Sequence, residues 1–209
     1  MVIEGVVTTE NQDGSIHVSP IGPHVNDALT QWMLKPFQSS TSFSNLRRTN
    51  RCVFHVTDDA LLMAVAVLGL SSPNSSRFEE LRPRISKGSQ DRIEESLSTL
   101  RGASLEQPYG WCLQQANRIF ALTIDRWDVS EPRALAFCSL AMQRELRPFW
   151  GWNRAKHSIL ELSVVASRVH MLAPTLIEEQ LKLHQMVIEK TAGPSETAAW
   201  ELLNTHLSQ

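Results

Sequence analysis

The hydrophobic period of the chain changes at Gly151, and this confines it to the α+β class. Before that glycine the apolar residues fall mostly in short β-branched or alternating runs. After it they recur at helical spacing. Val2 to Thr9 is one such run, Asn11-Gln12-Asp13-Gly14 is a turn signal, and Ser15 to Ser19 alternates apolar and polar. Asp and Gly tolerate the left-handed backbone of a tight reversal, so these segments predict a hairpin. Pro20 and Pro23, with Gly22 between them, end its second strand. Trp32 to Lys35 predicts a third strand stopped by Pro36, Thr41 to Leu46 one or two helical turns, and Arg51 to Val56 a fourth strand. Thr57-Asp58-Asp59 is a helix start, with Thr57 as the cap, for a helix from Asp58 to Leu68 ended by Gly69.

Residues 71 to 116 carry weak patterns: a loop from Ser71 to Ser76 and a short helix from Arg92 to Leu100. Arg118 to Trp127 then predicts a strand with Phe120, Leu122 and Ile124 on one face, and Glu131-Pro132 a turn. Arg133 to Met142 is apolar on both faces, as an interior or interface strand is. Beyond Gly151, Ile159, Leu162, Ala166 and Val169 line one side of a helix from Asn153 to Leu172. Pro174 opens a second helix, with Glu178 and Glu179 early and Lys190 late, in the order the helix dipole favours. Gly193-Pro194 stops it, and Ser195 caps a third helix carrying Trp200, Leu203 and Leu207. The expected division is a β-rich domain over 1–150 and a helical domain over 151–209.

Composition narrows the functional classes. The chain has 209 residues, 42% hydrophobic and 20% charged, enough for a real core. A formal charge of −2 leaves no global basic field for nucleic acid, so anion binding must be local. Cys52, Cys112 and Cys138 are an odd, widely spaced set, which fits buried thiols in a reducing cytoplasm rather than disulfides or a zinc site. The N-terminus lacks a signal-peptide pattern, and the longest apolar run, Ala60 to Leu70, is shorter than the roughly 20 residues a membrane span needs.

The local anion site is residues 35 to 45. Lys35, Asn45 and five hydroxyl side chains (Ser39, Ser40, Thr41, Ser42 and Ser44) fall within 11 positions. A helix beginning near Thr41 directs its first, unpaired N–H groups outward, and such an end accepts phosphate. Lys35 adds a full charge, and Arg47 or Arg48 is within reach in sequence. A polar turn with a serine cap explains the same composition equally well.

Several segments together resemble a known family. They are Thr8-Thr9 with Asp13-Gly14, Ser19-Pro20-Ile21-Gly22-Pro23, Lys35-Pro36-Phe37 with Ser39-Ser40-Thr41 and Asn45-Leu46, and Val53 to Asp59. Arg147-Pro148-Phe149-Trp150-Gly151-Trp152-Asn153-Arg154-Ala155-Lys156-His157 resembles that family's junction into a C-terminal helical domain. The family is a group of uncharacterised archaeal and bacterial proteins similar to the flavin reductase-like FMN-binding split barrels. The resemblance implies a six-stranded antiparallel split β-barrel followed by a small three-helix domain. It also implies a homodimer with flavin at the subunit interface. The hydroxyl-rich loop then holds the FMN phosphate, and backbone around Pro20, Ile21 and Gly22 lies against the isoalloxazine ring. Related reductases often place an asparagine where this chain has His55, so the ring contact there differs.

Other candidates are weaker. Asn153, Arg154, Lys156 and His157 open a helix with positive charge, against a dipole preference of about 0.3–1 kcal/mol per charge. Either an anion or a nearby acid such as Glu161 accounts for that. Thr57 is also a cofactor-binding candidate. Asp58 and Asp59 read as helix-start acids before they read as a general acid/base pair. The seven histidines form no metal-binding pattern, and no Rossmann, P-loop or nucleophile-elbow signature occurs. Trp127, Trp150 and Trp152 read as core or interface residues. The expected function is therefore an FMN-dependent oxidoreductase with NAD(P)H as donor and a possible link to pterin one-carbon metabolism. The alternative is a non-catalytic flavin- or pterin-binding module or an assembly subunit.

Overall fold

The computed structural model describes residues 1–70, 75–100, 103–129, 133–149 and 151–209. The expected Glu131-Pro132 turn, most of the 71–76 loop and Trp150 lie outside them. In chain order the elements are β1 (Val6–Glu10), β2 (Ile16–Pro20), β3 (His24–Val25), β4 (Trp32–Leu34), α1 (Thr41–Thr49), β5 (Arg51–Val56), α2 (Ala60–Val67), α3 (Ser76–Leu81), α4 (Lys87–Leu100), β6 (Ser104–Glu106), β7 (Gly110–Cys112), β8 (Arg118–Asp128), β9 (Leu135–Glu145), α5 (Arg154–Ala166), α6 (Pro174–Thr191) and α7 (Pro194–Leu207). Two compact units result: Met1–Thr57 with Gly102–Phe149, and Asp58–Arg101 with Trp150–Gln209.

The first unit is an antiparallel sheet in the order β2-β1-β5-β8-β9-β4-β3, with β6 and β7 as a separate hairpin. The predicted first hairpin forms, with Thr8 opposite Val18, and it continues beyond its named strands. Ile21 N donates to Gly5 O at 3.3 Å, Ile3 N to Pro23 O at 3.2 Å and Val25 N to Met1 O at 2.9 Å, and Val2 bridges His24. Residues 1–10 and 16–25 are thus one long bent hairpin. Its second arm supplies β2 at one edge of the sheet and β3 at the other, so the sheet curls back on itself. Six strands were expected, and the sheet has seven. Pro20 and Pro23 lack the N–H that a regular ladder uses and end the second strand as expected, and the added strand is a second part of the same arm, at His24–Val25. The second part then pairs with β4, Val25 opposite Trp32.

The concave core contains Val7, Trp32, Leu34, Phe54, Phe120, Leu122, Ile124 and Ala136. Trp32 centres the aromatic packing, with ring centroids 4.7 Å from Phe120 and 5.8 Å from Phe54. Phe120, Leu122 and Ile124 share a face as predicted. On the opposite face, Val53, Ile119 and Ala121 pack with Cys112 and Ala116, so β5 and β8 are buried on both sides. The three cysteines are buried and free. Gly5 sits where β1 meets β5. A Cβ there would collide with the His55 carbonyl and lie 2.8 Å from the Phe54 ring.

His55 is a buried cross-link of this unit. Its Nε2 accepts from Leu113 N at 3.0 Å, which places the ring proton on Nδ1, 3.4 Å from the Val6 carbonyl. One ring therefore ties β5 to β1 and to the segment after β7. Burial pushes its pKa down to about 4. Both His55 nitrogens are engaged inside the protein, so its side chain acts here as a structural link.

In the second unit, α2 reads Ala-Leu-Leu-Met-Ala-Val-Ala-Val and is buried from Ala60 to Ala66. A helix apolar on every side needs helical neighbours all round. It finds them in α4, α5 and α7. This is why residues 58–101 join the C-terminal helices, and the division runs differently from the expected cut at residue 150. Six α-helices make up this unit among the described residues, where three were expected. The α2 cap is Asp59, accepting from Leu62 N at 3.0 Å, rather than Thr57. Gly69 ends the helix with φ +66° as predicted. The first C-terminal helix stops at Ala166, short of Leu172. The cap of α7 is Gly193 rather than Ser195, with the Glu196 carboxylate accepting from Gly193 N at 3.0 Å. No helix among the described residues is long and apolar enough to cross a membrane.

Two predictions follow from these contacts. Gly5→Ala lowers stability by about 1–3 kcal/mol, read as the urea midpoint, because its neighbour is backbone and cannot step aside. For His55, the unfolded ring (ordinary pKa 6.5) binds a proton that the folded ring refuses down to about pH 4. Its contribution to stability is complete above the unfolded value and is lost as pH falls through that window, a loss of about 3 kcal/mol. Urea melts of wild type and His55→Gln across this range should differ in slope against pH, and parallel slopes would refute the assignment.

Candidate functional site

The predicted loop is built by the end of β4 and the start of α1. Phe37 pairs with Arg133 in an isolated bridge, and the Arg133 guanidinium lies 3.7 Å from the Phe37 ring centre. Gln38 Nε2 donates to Val129 O at 3.3 Å. Ser40 caps α1: its Oγ accepts from Phe43 N at 3.1 Å and donates to Phe37 O at 2.7 Å. Ser42 and Asn45 face the first hairpin from successive turns, which is the i, i+3 relation of a helix face. Asn45 Nδ2 donates to Thr9 Oγ1 at 3.1 Å and to Asn11 Oδ1 at 2.9 Å. Ser42 Oγ lies 2.7 Å from Ser19 Oγ and 3.2 Å from His17 Nε2.

These bonds sort the loop by role. Ser40, Ser42 and Asn45 hold the turn and dock α1. The Ser39 and Thr41 side chains are exposed, and Lys35 is half-buried with no ion pair among the described residues. No acid occupies the first turn of α1, so the helix itself supplies no charge to offset its positive dipole end. Arg47 and Arg48 do not reach back to the loop. Arg47 lies 5.3 Å from the Trp127 ring centre, which Phe43 also meets edge-on at 5.5 Å, and Arg48 donates to the Glu10 carbonyl.

Pro20, Ile21 and Gly22 form the half-buried link between β2 and β3. A Cβ at Gly22 would lie 2.7 Å from Val2 Cγ1 and 3.1 Å from Glu4 Oε2, so glycine makes room for those two side chains. Thr57 is half-buried after β5.

The basic helix start belongs to the second unit. Asn153 caps α5 by accepting from Lys156 N at 3.0 Å, and its Nδ2 donates to Thr191 O at 3.2 Å. Lys156 Nζ stands 4.0 Å from Glu196, with both side chains mostly buried, so the charge has an acid beside it. These residues line a cleft of about 420 Å³ with Gly193 and Ser195. Arg154 is exposed, and Trp152 stacks on His157 with centroids 5.3 Å apart. Ser39, Ser40, Thr41 and Asn45 are thus gathered at the start of α1, Lys35 follows β4, and Asn153, Arg154 and Lys156 form a group within the second unit.

Sequence reasoning passed over His17. The signal was present, because alternation along β2 places residues 17 and 19 on one face. It also passed over a cavity of about 650 Å³ lined by His24, Asn26, Gln31, Met33, Asp125 and Phe137, whose residues come from four strands and a turn.

The fold resembles that of an FMN-bound protein from Methanosarcina mazei assigned to the same family as the matches below, at TM-score 0.72 and 13% identity, over 98% of this chain and 94% of that one. The flavin reductase of styrene monooxygenase from Pseudomonas putida S12 matches at TM-score 0.48 and 10% identity, over 70% of this chain and 82% of that one. An FMN-binding protein from Thermus thermophilus with bound 1-cyclohex-2-enone matches at TM-score 0.48 and 12% identity, over 68% and 70%. A comparison with curated protein sequences returns no match. The N-terminal domain of a protein of unknown function (DUF447) matches residues 3–132, and a second part of the same family matches residues 153–205. In agreement with the resemblance read from its motifs, the chain belongs to the DUF447 family.

Proposed function

We propose that this chain binds FMN, with the flavin phosphate at the first turn of α1, and that it works as a flavin-dependent oxidoreductase. The observation that carries the reading is the division of labour in residues 35–45. Ser40, Ser42 and Asn45 are spent on holding the turn, while Ser39 and Thr41 are left exposed at a helix start with no acid in its first turn, and Lys35 stands half-buried after β4. Hydroxyl donors, helix N–H groups and one cation are the donor set a phosphate takes. The FMN-bound relative of like fold supports the same reading. The flavin, when bound, supplies the electron chemistry, and the protein binds and orients it. The backbone from Pro20 to Gly22 is the proposed neighbour of the ring, NAD(P)H the proposed donor, and a homodimer in the cytoplasm the proposed working form. In the second unit the charge of Lys156 is offset by Glu196, so that helix start is the weaker anion candidate of the two. The non-catalytic alternative drew on His55 as a ring contact. A buried backbone cross-link gives it no such support, and no described feature favours a pterin.

FMN titration of the purified protein tests the proposal. Saturable micromolar binding is expected. Lys35→Ala and Thr41→Val should each weaken FMN binding by about tenfold, the size of one lost hydrogen bond or ion pair to a charged group, and leave riboflavin binding unchanged. Ser40→Ala instead lowers stability by about 1 kcal/mol, as loss of a cap does. Equal FMN and riboflavin affinities in the wild type would rule out a phosphate site. Bound flavin that NAD(P)H fails to bleach would favour the non-catalytic module.

A further inference from the structure

A half-buried imidazole stands beside the first turn of α1, with its hydrogen bonds running into that turn's hydroxyls. His17 and Ser19 project from one face of β2 toward Ser42. His17 Nε2 is 3.2 Å from Ser42 Oγ, which is 2.7 Å from Ser19 Oγ. Each hydroxyl has one hydrogen to give, and two orderings run head to tail through all three groups. With hydrogen on Nε2, His17 donates to Ser42 and Ser42 to Ser19, and the Ser19 hydrogen is left for a fourth partner. With Nε2 bare, Ser42 donates to His17 and Ser19 to Ser42, and Ser19 offers only lone pairs.

We infer that His17 is a positioning residue that sets this polarity, so that its protonated form makes Ser19 a hydrogen-bond donor to an anion at the first turn of α1. The inference deepens the FMN-phosphate reading and rests on it. Ser42 is only 3% exposed, so the chain is sheltered from competing water at its centre. Burial alone holds the His17 pKa below the ordinary imidazole value. The elements packed most closely against β2 are β1 and α1. Their charged groups are otherwise engaged: Glu10 pairs with Arg51 at 3.5 Å, Arg48 donates to the Glu10 carbonyl, and Arg47 lies over Trp127. Asp13, in the turn between β1 and β2, accepts from Ser15. The ring is therefore free to respond to an anion. A neighbouring anion favours the protonated imidazole, and by linkage anion affinity rises as pH falls through the histidine's titration.

The test is FMN and riboflavin titration of the full chain from about pH 5 to pH 8, the imidazole range, in wild type, His17→Gln and Ser19→Ala. Glutamine keeps a donor and an acceptor but does not titrate. Protonation of the FMN phosphate itself is common to all three proteins and cancels in their ratio. Wild-type affinity for FMN relative to either variant should grow by about three- to tenfold toward the acid end, the span of one hydrogen bond. Riboflavin should show no such growth. Parallel pH profiles for wild type and His17→Gln, or persistence of the increment in Ser19→Ala, would overturn the inference while leaving the phosphate reading intact. Wild type that fails to bind FMN, or that binds riboflavin equally well, would overturn both. Each ratio compares pH values within one protein, so a uniform loss of stability in a variant does not imitate the effect.

Discussion

The pairing of residues 1–10 with residues 16–25 supplies both edges of the seven-stranded sheet. One arm begins beside β3 and runs on into β1. The other arm starts as β2 and ends as β3. A sheet whose two edges are successive parts of one segment must curl, and its concave face becomes the aromatic core around Trp32. The tight approach at Gly5 and the His55 cross-link both serve this hairpin, by bringing β1 against β5 and by tying its carbonyl row to the segment after β7.

The same hairpin carries the candidate site. α1 docks on it through polar groups, Asn45 on Thr9 and Asn11, and Ser42 on Ser19 and His17. Hydrogen bonds have directional geometry that apolar contacts lack, so this docking fixes the helix's rotation as well as its position. That rotation decides which hydroxyls face inward and which stay exposed. A loop rich in serine is thereby divided into a structural set and a presented set by where the helix begins.

Much of this was legible from the residues, and the failures have definite causes. The Asp13-Gly14 turn and the alternation of Ser15 to Ser19 announced the hairpin, and the hydroxyl run announced the start of α1. Pro20 and Pro23 marked an end, but the sequence holds no sign that the strand resumes at His24 against a distant partner. Caps at Asp59 and Gly193 were misplaced by two residues each, because Thr57, Asp58 and Asp59, or Gly193 and Ser195, are all competent caps and packing chooses among them. The buried role of His55 left no mark in the sequence because β5 is buried on both faces, so alternation there does not separate inside from outside. The membership of residues 58–101 was hidden for a similar reason. A helix apolar all round has no polar stripe to point away from its neighbours.

That interleaving has a consequence for how the chain is made. α2 emerges early in synthesis, yet α5 and α7, which enclose it, follow some hundred residues later. The first unit is also left open until β8 and β9 arrive. Neither unit can close on its own stretch of newly made polypeptide, and both wait on contacts of long sequence separation, which slow folding. An eight-residue apolar helix stays uncovered throughout that interval, open to self-association or to capture by a chaperone.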